Sequence, residues 1–170
     1  AHPTRGAYFT RGTSRNPYAR YSEEGAVYVD NMERLLRKFE TAKSLVPAPV
    51  RRDAARPTRD GVIYFGSSTP SVHEALDTLA AKGMHLDALR VRAFPFSDEV
   101  FDFIAQHDRV FVIEQNRDAQ LRSMLINEGD VDPNRLTAVL HYDGTPITAR
   151  FIVKAVQGLM ARAPVPEAAE

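Results

Sequence analysis

The sequence predicts an α/β protein, a three-layer sandwich on a mostly parallel sheet, preceded by an extended arm and a helix. Three observations carry this. From residue 61 onward the short apolar runs GVIYFGSS, ALRVRAF, RVFVIE and RLTAVLHY alternate with segments whose apolar residues recur at helical spacing. Strands separated by helices imply right-handed crossovers, which put helices on both faces of a parallel sheet. Residues 1–60 show no such alternation, so they stand outside the sandwich.

Residues 1–24 mix Gly, Pro, Thr and Ser with aromatics without periodicity, and read as an extended basic arm that needs a surface to lie on. Over 25–46, Met32, Leu35, Leu36 and Phe39 fall on one helical stripe, and Glu33 precedes Arg37 by one turn, predicting an amphipathic helix. VPAPVRRDAARPTRD follows, with prolines, charges and no apolar period, so 47–60 reads as a linker. The α/β domain then occupies 61–163. Its first strand, 61–68, leads to a helix marked by Val72, Ala75, Leu76 and Leu79 and stopped at Gly83. A second strand covers 88–94, and Ser97 with Asp98 and Glu99 gives a capped, acid-rich start to a helix through Val100 and Ile104. The third strand is 109–114, followed by a helix through Leu121, Met124 and Leu125 that ends at Gly129. The fourth is 135–142, and Ile152, Ala155, Val156, Leu159 and Met160 form the closing helix before a frayed tail, 164–170.

With 170 residues, 44% of them hydrophobic, the chain suits one globular domain with extensions. It has no cysteine, which removes disulfides, thiolate metal sites and iron–sulfur ligation and is compatible with the cytoplasm. No apolar stretch approaches the roughly 20 residues that cross a bilayer, so no membrane association is expected. The first residue is Ala, in a stretch without a signal-peptide core, which suggests a cut or processed end. Net charge is zero, yet 1–60 hold 12 Lys/Arg against 7 Asp/Glu and the remainder 10 against 15. Arg5, Arg11, Arg15 and Arg20 lie among Tyr8, Phe9 and Tyr18 with no acid before residue 23. Such an arm suits nucleic acid or an acidic protein face; the overall pI of about 7.2 favours a partner subunit over nucleic acid.

Ligands of open α/β sheets collect where strands end, here at 66–69, 94–97, 114–116 and 142–145. GSSTP could hold a phosphate on backbone N–H groups, but it matches no phosphate-loop pattern, and Thr69 as helix cap with Pro70 behind it explains the same residues. Glu114, Gln115 and Asn116 place an acid and two amides at a strand end. No His or second acid stands at a diagnostic spacing from Glu114, so a polar turn competes with a general base. His2, His73, His85, His107 and His141 show no metal-pair spacing, and GxSxG is missing. No catalytic, cofactor-binding or metal-ligating residue is assigned to the chain.

VFVIEQNRDAQL followed by RLTAVLHYDGTPITARFI resembles the end of the alpha subunit of 2-oxoacid:ferredoxin oxidoreductases, particularly the 2-oxoglutarate type. There a strand ends in Glu-x-Asn, a Gly-Gln-Leu follows, and a Gly-x-Pro loop precedes the last helix. HPTRGAYFTRGTSRNPYARYSEEG and NMERLLRKFETAKSLVP resemble the stretch by which that subunit leaves its pyrimidine-binding domain, so the likeness runs over nearly the whole chain. Ala119 departs from it, standing where the pattern often has Gly before Gln120 and Leu121.

The resemblance implies a transketolase C-terminal-like domain. It implies an enzyme that decarboxylates a 2-oxoacid on thiamine diphosphate, passes electrons through an iron–sulfur cluster to ferredoxin, and forms acyl-CoA from coenzyme A. The residues facing the thiamine ring and the substrate would lie upstream in the alpha subunit, and the diphosphate, Mg and cluster ligands in the beta subunit; the rest of the alpha subunit and the beta subunit are the expected partners. This chain would be a C-terminal piece serving assembly and inactive alone. Arg5, Tyr8, Arg11, Arg15, Tyr18, Arg20, Glu114, Asn116 and Gln120 are the expected interface residues. Two readings compete: the C-terminal domain of a transketolase or of a 2-oxoacid dehydrogenase beta subunit, which the 25–46 helix and its arm argue against, and a free-standing protein-docking module.

Overall fold

A computed structural model describes residues 14–161 and divides the chain into two units, Ala1–Leu45 and Val46–Glu170. Of the expected interface residues, Arg5, Tyr8 and Arg11 lie outside the described part, as does the tail.

In the first unit, the described end of the arm forms a closed turn rather than a simple extended run. Pro17 fixes one corner, and Asn16 supplies the rest: its Oδ1 accepts from the backbone N–H of Tyr18 at 3.0 Å and of Arg20 at 3.1 Å. Arg15 and Tyr21 pair across this turn in an antiparallel bridge. Helix α1 (Gly25–Lys43) follows, and its Asn31 Nδ2 donates to Arg15 O at 2.8 Å and Ser14 Oγ at 3.3 Å, pinning the turn to the helix.

The second unit is the sandwich. Its strands are β1 (Val50–Arg52), β2 (Asp60–Phe65), β3 (Asp87–Val91), β4 (Arg109–Glu114) and β5 (Leu136–Leu140), in the sheet order β1-β3-β2-β4-β5. The last four run parallel, with Ile63 level with Leu89 on one side and Val112 on the other. Helices α2 (Thr69–Ala81) and α5 (Ala149–Met160) cover one face; α3 (Asp98–Ala105) and α4 (Gln120–Gly129) cover the other. Strand alternation divides the core accordingly. Val62, Tyr64, Phe111, Ile113 and Val139 meet Val72, Leu76, Ile152 and Val156, while Ile63, Leu89, Val110, Val112 and Leu136 meet Val100, Phe103, Ile104, Leu121 and Leu125. Each such side chain contributes about 1.5–3 kcal/mol on burial, which is what holds the three layers together.

β1 is the element that sequence patterning missed, since it lies in the stretch read as a linker. Val-Arg-Arg carries no apolar alternation and all three residues are exposed. It forms because the edge of β3 offers free backbone groups, and β1 pairs with them antiparallel. Its arginines are then tied down: Arg52 to Asp77 of α2, and Arg51 to Gln106 at 2.7 Å with its guanidinium 5.5 Å from the Phe103 ring centre.

Helix starts also differ from expectation in detail. Thr69 does not cap α2; it is the first helical residue, and its hydroxyl donates back to Gly66 O at 2.7 Å. Ser97 stands at the cap position of α3 with Asp98 and Glu99 in the first turn, but its side chain makes no capping bond. Gly83, with φ of 81°, does end α2, in the left-handed conformation that costs glycine nothing. Gly129 is the last residue of α4, as expected, and a Cβ there would stand 2.1 Å from the Phe101 ring.

Candidate functional site: the carboxyl edge of the sheet

β2 and β4 lie side by side, yet the chain leaves β2 toward β3 on one side and leaves β4 toward β5 on the other. The crevice between their carboxyl ends is therefore where a fold of this kind receives ligands. Here Gln115 spans it. Its Nε2 lies 3.1 Å from both Ser67 Oγ and Ser68 Oγ, and its Oε1 accepts from the backbone N–H of Ile147 at 3.1 Å. A second tie reinforces the closure, from Ser71 Oγ to Ile147 O at 2.8 Å. One amide thus joins the loops that follow β2, β4 and β5, and those two serines are used as partners of an amide and not of a base.

Glu114 is fully buried at the last position of β4, where a carboxylate needs several donors. It has them. Its Oε2 accepts from Leu121 N at 2.7 Å and Asn116 Nδ2 at 2.7 Å, and its Oε1 from Arg122 N at 3.0 Å. Leu121 and Arg122 open α4, and the residue before that helix, Ala119, offers no capping side chain and sits at φ of 50°. The strand-end acid therefore caps a helix that begins six residues later, adding charge stabilisation to two otherwise orphaned N–H groups. Asn116 completes the turn, its Oδ1 accepting from Asp118 N at 3.1 Å and Gln120 N at 3.3 Å.

The third loop is organised by Asp143, which accepts from Thr145 Oγ1 at 2.7 Å and Thr145 N at 2.8 Å; those bonds, with His141 Nε2 at 3.1 Å, hold its carboxyl below the usual carboxylate range. On the face toward α2, Tyr64 OH meets His73 Nε2 at 2.8 Å, and burial pushes the phenol up against the lowering pull of Arg90 and Arg52. His107 lies at the opposite edge of the sheet, buried between Phe103 O at 2.6 Å and Asp87 Oδ2 at 3.1 Å.

The described histidines are thus dispersed, and among the described residues no three His, Cys, Asp or Glu side chains converge as a metal set would. With no cysteine, the chain offers no thiolate ligands, and its residues do not fit an iron–sulfur cluster. Of the expected interface residues, Glu114, Asn116 and Gln120 come together in one turn, with Glu114 facing inward; Arg15, Tyr18 and Arg20 lie in the first unit, with Tyr18 84% exposed. Gln115, absent from that set, joins the loops that follow β2, β4 and β5. Its position at the end of a buried strand was the one available signal.

No protein-family model matches this chain, and no curated protein matches it in sequence. Solved structures do. The architecture is a three-layer α/β sandwich with a mostly parallel sheet, of a kind built into 2-oxoacid:ferredoxin oxidoreductases. The 2-oxoglutarate:ferredoxin oxidoreductase from Magnetococcus marinus, with 2-oxoglutarate, coenzyme A and succinyl-CoA bound, matches 93% of this chain at a TM-score of 0.77 and 20% identity. The chain spans 28% of that longer one. Also similar are the alpha chain of a probable 2-oxoacid ferredoxin oxidoreductase from Thermoplasma acidophilum (TM-score 0.46, 20% identity, 68% of this chain and 98% of that one) and a split-gene transketolase in an inactive beta4 tetramer (0.48, 18%, 64% and 40%).

Proposed function

We propose that this chain is a C-terminal piece of the alpha subunit of a thiamine-diphosphate-dependent 2-oxoacid:ferredoxin oxidoreductase of the 2-oxoglutarate type, acting in the cytoplasm. The whole enzyme would convert a 2-oxoacid, coenzyme A and oxidised ferredoxin to acyl-CoA, CO2 and reduced ferredoxin. The observation that carries this reading is the superposition of 93% of the chain on a part of one such enzyme. In it, bound thiamine diphosphate would supply the decarboxylation chemistry from the rest of the alpha subunit and the beta subunit. This piece would serve assembly. That role is supported by a carboxyl edge tied shut by Gln115 and by the exposed side chains left around it, Phe65, Tyr142 and Gln120. Arg5, Tyr8, Arg11, Arg15, Tyr18 and Arg20 would meet acidic surface on the other parts of the enzyme.

The test is native mass spectrometry of the chain purified from its source, followed by assay of co-purifying material for 2-oxoglutarate- and coenzyme A-dependent ferredoxin reduction. Co-migration with polypeptides bearing thiamine diphosphate and iron, with activity that the chain alone lacks, is expected. Migration alone, or with an unrelated acidic protein, would sink the reading and favour a docking module.

A further inference from the structure

Helix α1 has 19 residues, and none of them is buried. A helix of that length gains little from its backbone bonds alone in water, and in proteins its stability comes from covering an apolar face. α1 has such a face. Tyr28, Met32, Leu35 and Phe39 recur at alternating steps of four and three residues, and Val29 and Leu36 broaden the row. Their exposure runs from 36% at Leu35 to 71% at Leu36, while Asp30, Arg34 and Arg37 occupy the other side.

The width of the stripe bears on its occupant. A two-helix seam uses two positions in seven, whereas this one uses three, which fits a groove between elements of a larger body. A parallel second copy would also set Lys38 against Lys43 across the seam, a like-charge pair. The superposed oxidoreductase chain adds a second line: the part of this chain it leaves unmatched is shorter than α1, so α1 has a counterpart, at least in part, inside a polypeptide of which this chain spans 28%.

We infer that the Val29, Met32 and Leu36 face of α1 seats in an apolar groove of the thiamine-diphosphate-binding remainder of the enzyme, an inference that rests on the function proposed above. The experiment places a photo-crosslinking phenylalanine at Val29 or Leu36, both exposed, in the complex purified from its source, and maps the adducts by mass spectrometry. A parallel preparation carries Leu36→Glu. Adducts to the polypeptide that holds thiamine diphosphate are expected, with its co-purification reduced about tenfold or more by Leu36→Glu, the scale of losing an apolar anchor at an interface. Adducts joining two copies of this chain, adducts confined to one copy, or an intact complex with no adduct would overturn the inference while its thiamine diphosphate content leaves the parent reading standing. A preparation with no thiamine-bearing polypeptide would overturn both.

Discussion

The Glu114 carboxylate accepts the backbone N–H of Leu121 at 2.7 Å, tying the end of a buried strand to the first turn of the helix that follows. With Arg122 N and Asn116 Nδ2 as further donors, this is the cap of α4, supplied by a residue outside the helix. Glu114→Gln keeps the shape but turns an amide N–H toward a backbone N–H and removes the charge. A loss of about 1–3 kcal/mol is expected, read as a lower urea midpoint with an unchanged slope. A midpoint within error of the parent would show that the cap contributes nothing to stability.

Ala119 is held at φ of 50°, in the left-handed region, because the chain must turn sharply there for Leu121 and Arg122 to face Glu114. For a residue with a Cβ that conformation costs about 1–2 kcal/mol, part of which glycine returns as unfolded-chain entropy. Ala119→Gly should therefore raise stability by roughly 0.5–1 kcal/mol, measured by the same titration. Destabilisation would mean that the Ala119 methyl packs more favourably than its backbone strain costs.

Gln115 joins three loops through an exposed amide, so its effect is expected to be local. Gln115→Met preserves length and removes all three bonds. Hydrogen exchange at the Ile147 amide should quicken by about tenfold, the equivalent of roughly 1.4 kcal/mol of local opening, while exchange in the β4 interior stays unchanged. Equal exchange at Ile147 would show that the tie from Ser71 to Ile147 suffices by itself.

Asp143 titrates below its ordinary value chiefly because Thr145 donates to it from the side chain, then from the backbone. The sign follows from a folded-state value lower than the unfolded one: the stabilisation is present above the ordinary carboxylate value near 3.8 and is lost as pH falls through the folded value. Thr145→Val removes the larger donor, so the Asp143 titration should move upward toward 3.8 in carbon-detected NMR. A titration that does not move would assign the shift to the backbone donor and to His141.

The alternation of apolar runs with helical stripes was enough to define the sandwich, because each parallel strand is buried on both faces and each helix on one, and burial writes itself into nearest-neighbour composition. The same local signals marked Gly83 as a stop and 114–116 as a polar turn. The tertiary structure alone decided the rest. β1 exists only because β3 has an open edge, which no property of Val-Arg-Arg announces. Gln115 acquires its role from serines 47 and 48 residues away in sequence and an amide 32 away, and Glu114 from N–H groups seven and eight residues on. Periodicity reports how often a side chain meets water. Which donor a buried oxygen will meet is a matter of where distant segments are brought together, and only the folded chain sets that distance.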